Sequence, residues 1–429
     1  SDTLSVSKAT DLKSTLNVDE AATIGSTLAV TGGAILASTL SVAGASTISD
    51  TLTVNKVANL KSTLNIDDAT TLGSTLAVTD GVTLGSSLAV TGASTLSDTL
   101  AVKKATDLKS TLNVDDATTM GSTLAVTGGA TLASTLAVTG ASTLSDELTV
   151  SKSTDLKSTL NVDEAATIGS TLAVTGGATL ASTLAVTGAS TLSDELTVSK
   201  STDLKSTLNV DKAATIGSTL AVTGGATLAS TLAVTGASTL TNTLFVKKST
   251  DLKSTLNVDE AATIGSTLAV TGGATLASTL AVTGASTLSD TLSVSKATDL
   301  KSTLNVDEAA TIGSTLAVTG SATLASTLGV TGASTLSDTL SVSKATDLKS
   351  TLNVDEAATI GSTLAVTGGA TLASTLAVTG ASTLSDTLAV SKATDLKSTL
   401  NVDDVVTMAS TLAVTGGATL ASTLAVTGA

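Results

Sequence analysis

The side chains of this chain that could take part in chemistry are carboxylates, lysines and hydroxyls. Its 429 residues include 36 acids and 21 bases, and every base is a lysine. Histidine and cysteine are absent, and each Ser or Thr belongs to a repeating column, so no set of residues for nucleophilic catalysis can be assembled. The phosphate-binding patterns GxxxxGK and GxGxxG are absent as well. We therefore predict that the protein is not an enzyme and has no catalytic or cofactor-binding residues.

Lysines and acids recur at a spacing of twelve residues. Lys8 is followed by Glu20, twelve residues later. The same arrangement recurs in Lys296 with Glu308 and in Lys344 with Glu356. If twelve residues formed one coil of a solenoid, each lysine would lie about 4.8 Å from an acid of the next coil, a contact worth less than ~1 kcal/mol when exposed. The repetition indicates a decorated surface rather than an acid–base dyad. Lys212 breaks the pattern, because it stands where other repeats carry an acid.

Adjacent carboxylates are the best candidates for a metal site. They occur as Asp67–Asp68, Asp115–Asp116 and Asp403–Asp404. Calcium accepts such oxygens. However, the calcium-binding nonapeptide GGxGxDxUx does not occur, and neighbouring lysines compete for the same carboxylates. We therefore predict no metal ligands and no cofactor.

A repeat of twelve residues organises the whole chain. Its type sequence is Ser26–Ala37, STLAVTGGAILA, and it continues without insertion or deletion. Position 3 carries Leu, position 5 carries Val apart from Ile66, position 9 usually carries Thr, Ala or Ser, and position 11 carries Leu, Ile or Met. On a helix these apolar positions would point in scattered directions, whereas their spacing of two fits short strands. The pattern therefore predicts two β-strands in every block.

Corners are expected between these strands. Gly32–Gly33 and its equivalents can adopt positive φ at no steric cost, which indicates a tight corner after Val. A second corner is expected where Ala37–Ser38 alternates with Ser49–Asp50. A bend there would turn the carboxylate of Asp50 outward and avoid burying an unpaired charge.

Four consecutive blocks form a super-repeat, in which the charges lie almost entirely in the first two blocks. A coil as long as the super-repeat would stack Lys on Lys, whereas a twelve-residue coil places Lys against an acid. We therefore predict an all-β fold: an elongated β-solenoid of about 36 twelve-residue coils, with residues 1–429 as a single continuous repeat array. A coil of two blocks, or twenty-four residues, remains as an alternative. A homotrimeric β-fibre shaft is another, since an axis shared by three chains would enlarge a thin core.

Composition limits the functions that remain. The net charge of −15 and the pI near 4.3 argue against a nucleic-acid partner and favour solubility through mutual repulsion. The mean hydropathy is +0.44, but no apolar run approaches the eighteen or so residues of a membrane span. The opening residues SDTLSV contain no basic stretch and no apolar signal core, so we expect any targeting peptide to be removed or to lie outside this segment.

The two ends of the array are in nearly continuous register. Ala429 stops at position 8 of a fourth-type block and Ser1 opens at position 12 of the same type, so only three residues separate the end of one copy from the start of another. We expect either a segment of a longer protein or copies that join end to end.

The cadence TL-x-V-x-G-x-x-TL, as in Thr135–Leu144 (TLAVTGASTL), covers the whole chain. It resembles the low-complexity repeats of bacteriophage tail-fibre shafts and of fibre proteins from aquatic microbes and their viruses. The resemblance implies a fibre, located outside the cell or on a virion or cell surface. Such families place their binding function in a terminal head, and this sequence contains none.

Together these observations predict a structural fibre shaft or a self-assembling filament subunit, whose partner is the protein itself through end-to-end or lateral contacts. We expect no nucleic-acid partner and no membrane span. An extracellular surface or a glycan is a further candidate partner. The alternative is a binding surface, either ice-binding or a repetitive adhesin, because strand faces rich in Thr could order water.

Overall fold

The computed structural model describes residues 3–427, and all of their regular secondary structure is β-strand. The first strands are β1 (Thr3–Val6), β2 (Thr10–Leu12), β3 (Leu16–Val18) and β4 (Ala21–Ile24). From β5 (Leu28–Val30) onward, a three-residue strand begins at every sixth residue up to β71 (Leu424–Val426). Within these residues, no helix is long and apolar enough to cross a membrane.

The prediction of two strands and two corners in every twelve-residue block is confirmed. In the type sequence, β5 (Leu28–Val30) covers positions 3 to 5, and β6 (Ala34–Leu36) covers positions 9 to 11. In both strands the first and third side chains are buried and the middle one points outward. Asp50 lies at a corner, its side chain is exposed, and its Oδ1 accepts a hydrogen bond of 2.9 Å from the Thr51 N–H, as expected for an outward carboxylate.

The predicted coil length of twelve residues is wrong. Each strand pairs in parallel with the third strand after it, so that Thr10 lies opposite Leu28 and Leu28 lies opposite Ser46. One turn therefore takes about 18 residues and contains three strands, which excludes the alternative of a two-block coil as well. The chain makes about 24 turns, fewer than the predicted number of coils. The strands form three parallel sheets: the first contains β1 and β4, the second β2 and β5, and the third β3 and β6.

The chain divides into two compact units, Ser1–Ile216 and Gly217–Ala429. Each unit by itself has the three-sheet architecture, with every strand in register with the strand one turn later. The core of each unit lies inside the three sheets and consists of the two inward side chains of every strand. Within a unit, a residue such as Leu172 or Leu316 is 1% exposed, so one chain encloses its own core.

The three-sided turn makes large and small residues alternate along each sheet. Odd-numbered strands read Leu-x-Val, with Ile66 once in place of Val, and even-numbered strands begin with a smaller residue and end with Leu, Ile or Met. Because each strand pairs with the third strand after it, an odd strand always contacts even strands. In the first sheet, for example, Leu184 lies between Ala166 and Thr202. A twelve-residue coil would instead stack Leu on Leu in one column and small on small in another.

Glycine at the corners has a different role from the one predicted. Among residues 3–427 no glycine has positive φ. The requirement is close approach between turns: the N–H of Gly140 donates to the Ser122 carbonyl at 2.7 Å, and a Cβ at Gly140 would lie 2.5 Å from that oxygen. Lys104, at an equivalent corner, keeps the same bond to the Ser86 carbonyl at 3.1 Å. At Gly140, glycine thus permits a close approach between turns and does not supply a left-handed backbone.

The alternation predicts that the fold tolerates the deletion of an even number of strands better than the deletion of one whole turn, which has three strands. Removing two strands, residues 310–321, places Ala322 opposite Leu292 and keeps the pattern. Removing three strands, residues 310–327, takes out one full turn, places Leu328 opposite Leu292 and overpacks the core, which costs ~1–3 kcal/mol at each such contact. We expect the three-strand deletion to have a lower Tm than the two-strand deletion.

A deletion of four strands, residues 310–333, is the control, because it removes more of the chain than the three-strand deletion but keeps the parity. Its Tm in thermal unfolding followed by circular dichroism should exceed that of the three-strand deletion. A Tm that falls simply with the length of chain removed would contradict the alternation rule.

Candidate functional site

The predicted contact between lysines and acids twelve residues apart is not formed. Twelve residues correspond to two of the three sides of a turn, so Lys8 and Glu20 lie at different corners. The residue one turn after Lys8 is Ser26. The same holds for the pairs Lys296–Glu308 and Lys344–Glu356. The prediction fails because it depended on the wrong turn length.

Lysine and aspartate pair instead at the ends of single strands, with Asp in the strand and Lys directly after it. Lys157 Nζ lies 2.8 Å from Asp155 Oδ2, with both side chains about half exposed. The two residues are separated by one position, so both side chains point outward from the same strand end. Equivalent pairs are Asp11–Lys13, Asp107–Lys109, Asp203–Lys205, Asp251–Lys253, Asp299–Lys301, Asp347–Lys349 and Asp395–Lys397. Their D-x-K spacing was visible in the sequence. At this exposure each pair contributes less than ~1 kcal/mol.

Lys212, which broke the sequence pattern, is explained by the turn length. Its Nζ lies 3.1 Å from Oδ1 of Asp194, which occupies the same corner one turn earlier. In most other super-repeats this corner stacks two acids, as with Asp290 and Glu308, which are also one turn apart. Lys212 replaces a like-charged neighbour by an ion pair.

Three aspartates occupy the same corner in successive turns: Asp80, Asp98 and Asp116. We call this set the acidic corner. The side-chain hydrogen bond with Asp80 raises the pKa of Asp98, and the negative charges of Asp80 and Asp116 act in the same direction. The Thr99 N–H, which donates to Asp98 Oδ1 at 2.7 Å, partly opposes this by lowering the pKa. The regular spacing of the three aspartates was present in the sequence, but it had no meaning in a twelve-residue coil.

The adjacent carboxylates do not form a metal centre in the described part of the chain. Asp115 and Asp116 are both exposed at one corner, and Asp67–Asp68 and Asp403–Asp404 occupy equivalent positions. Among residues 3–427 no group of three or more potential ligands has an arrangement that could hold a metal ion. These residues also enclose no pocket for a small molecule.

Many of the hydroxyls that sequence reasoning placed on strands point into the core. Ser142 and Ser190 begin even-numbered strands and are fully buried, and neither hydroxyl has a hydrogen-bond partner. Thr106 differs, since its Oγ1 donates to Met120 Sδ at 2.9 Å. Thr394 makes the same contact with Met408 at 3.1 Å. These hydroxyls are small core residues of the alternating pattern and are out of reach of any substrate.

Comparison with protein-family models, with curated proteins and with solved structures finds no match to this chain.

The buried hydroxyls predict a stabilising substitution. Thr118→Val replaces an unpartnered, fully buried hydroxyl by a methyl group of similar size, so the free energy of unfolding should rise by about 1–3 kcal/mol. Thr106→Val is the matched control, because it removes the bond to Met120 and should give a smaller gain or a loss. Denaturant unfolding measures both, and equal effects would show that the Met contact contributes nothing.

The acidic corner predicts a pH-dependent effect of Asp98→Asn. Because the pKa of Asp98 is raised in the fold, the folded chain binds this proton more tightly than the unfolded chain, and stability falls as the pH rises above the ordinary aspartate value of 3.8. Asp98→Asn should therefore raise the Tm near neutral pH, and the difference from the wild type should shrink as the pH falls through the acid range. A difference that does not depend on pH would contradict the stacking of like charges.

Proposed function

We propose that this chain is a structural fibre shaft or filament subunit, in which the stacked turn is the repeating element and the solenoid is continued end to end by further turns. The regularity of each unit supports this role. Every turn has three short strands and no inserted loop, so the cross-section stays constant along a unit.

The observation that carries the proposal is the distribution of surface features over the three sheets. Each super-repeat contains eight strands, which is not a multiple of three, so each feature moves to a different sheet in the next super-repeat. The outward Asp of the Asp–Lys pair lies on the third sheet at Asp107, on the second at Asp155 and on the first at Asp203. In the second unit, Asp251, Asp299 and Asp347 repeat this order.

A surface that is alike on all sides suits a shaft better than a single-sided binder. An ice-binding or adhesive face would need one sheet with a uniform row of side chains. The outward row of the first sheet instead changes from Thr149 and Thr167 to Ala185 and then Asp203. The short Thr rows favour the binding alternative only weakly.

The way the turns pair supports continuation by stacking. Each strand inside a unit is hydrogen-bonded to the turn before it and to the turn after it, as Leu184 is paired with Ala166 and with Thr202. A further turn can be added by the same parallel pairing. That turn can belong to the same polypeptide or to a second copy. The location outside the cell and contact with glycans remain predictions from the sequence resemblance.

Small-angle X-ray scattering of the full chain and of a deletion of residues 253–396 tests the proposal. The deletion removes three super-repeats, which equal eight turns, and leaves the order of sheets and the strand parity unchanged. We expect the maximum dimension to fall by about 38 Å, at ~4.8 Å per turn, while the cross-sectional radius stays the same. A compact particle, or a change in the cross-section, would contradict a shaft.

Two binding assays discriminate the alternative. A shaft should give no thermal hysteresis and no signal on a glycan array beyond that of the deletion variant. Thermal hysteresis that scales with the number of turns would replace the proposed shaft by an ice-binding function.

A further inference from the structure

One strand of the second unit departs from its equivalents at several nearby positions. This is β41 (Leu244–Val246), which carries the chain's only aromatic residue, Phe245, on its outward face. Phe245 is 39% exposed and lies between Thr227 and Thr263 in the neighbouring strands. These small neighbours leave the ring raised above the sheet. In the other super-repeats the equivalent outward residue is Ala, Ser or Thr.

The local charge at β41 is also more positive than at the equivalent strands. Asn242 stands before the strand where the other super-repeats carry Asp, and Lys247 follows it where most carry Ser. Lys248 is next, and both lysines are exposed, with no ion pair within the described residues. The acids of the next turn, Asp259 and Glu260, lie at the corner on the opposite end of the strand. We call Phe245, Lys247 and Lys248 the β41 patch.

An equivalent strand shows what is special about the patch. In the first unit, β17 (Leu100–Val102) holds the same place in its super-repeat and is also followed by two lysines, Lys103 and Lys104. Its outward residue is Ala101, and Asp98 of the acidic corner precedes it. The β41 patch therefore combines an apolar ring with two lysines and no preceding acid.

The chemistry that matches this patch is a row of closely spaced carboxylates. Lys212 shows that a lysine can occupy such a site, since it pairs at 3.1 Å with Asp194 at a corner where most super-repeats stack two acids. The acidic corner has three carboxylates on successive turns, whose backbones are about 4.8 Å apart, and no lysine among its stacked side chains. The ammonium groups of Lys247 and Lys248 would offset the repulsion between these carboxylates, and Phe245 would add apolar contact area.

We propose that the β41 patch binds the acidic corner of a second copy of this chain. The contact is heterologous, because different surfaces of the two copies meet, and it can therefore repeat from copy to copy in a staggered lateral assembly. It adds a side-by-side contact to the proposed shaft and does not require stacking at the ends.

Sedimentation velocity of the full chain at several concentrations and salt levels tests the contact. We expect association at low ionic strength and its loss near ~1 M salt, where the Debye length is about 3 Å. Lys247→Glu with Lys248→Glu should abolish association. Lys344→Glu with Lys392→Glu, which changes the net charge equally at exposed lysines elsewhere in the same unit, should preserve it. Phe245→Ser should weaken association about tenfold.

A charge exchange identifies the partner surface. Asp80→Lys, Asp98→Lys and Asp116→Lys in one chain should abolish its self-association, and mixing this variant with the lysine-reversed β41 variant should restore a complex. Unchanged circular dichroism spectra show that each variant is folded, as expected for substitutions at surface corners.

Three results would overturn the proposal: a wild-type chain that stays monomeric at all salt concentrations, equal loss of association in the Lys344 and Lys392 control, or no complex in the exchange mixture. Binding of the β41 patch to heparin or to anionic vesicles without self-association would assign it to another polyanion and would also overturn the second copy as its partner. Sedimentation tests this contact, and small-angle scattering of the monomer tests the shaft. A chain that does not associate but keeps the scattering profile of a shaft would therefore contradict the contact alone.

Discussion

The structure depends on a mismatch between the length of the sequence repeat and the length of the turn. The sequence repeats after two strands, whereas the turn closes after three, so a strand never lies on a copy of itself. Leu is therefore placed against smaller residues at nearly every turn, as Leu28 is between Thr10 and Ser46. This allows strands of only three residues to build a continuous core, because each large side chain fills the space that the small residues above and below it leave open.

The difference between repeat length and turn length also explains how charged side chains are distributed over the three sheets. Core positions repeat every two strands, but the charged positions repeat every eight, and neither number is divisible by three. The core therefore alternates between two arrangements and repeats at every second turn, while each Asp–Lys pair is moved to another sheet in the next super-repeat. Corner residues are free to vary, because they contribute little to the core. That freedom accounts for Lys212 and for the cluster of changes around Phe245.

Local structure could be predicted from the sequence, and the turn length could not. The spacing of Leu28 and Val30 was enough to predict a strand with one buried face, and Gly32–Gly33 was enough to predict a corner. The angle of that corner does not come from positive φ, because the glycines act through close approach to neighbouring turns, Gly32 to Ser14 and Gly33 to Thr51. A nearly identical block every twelve residues leaves the number of blocks per turn undetermined, and only contacts between turns decide it.

The predicted twelve-residue coil is wrong because it rests on pairing between exposed charges, which is weaker than the packing of buried Leu side chains. An exposed ion pair such as Lys8 with Glu20 would be worth less than ~1 kcal/mol, and the repulsion between stacked exposed acids is similarly small. Removing the methyl groups of one buried Leu costs about 2–5 kcal/mol, so the packing of Leu against small residues outweighs any arrangement of the corner charges. The fold therefore tolerates Asp98 between two other aspartates. These carboxylates remain on the surface, where a positively charged group of another molecule can reach them. In such a solenoid the core determines the turn, and the surface charges are left to determine which molecules the solenoid contacts.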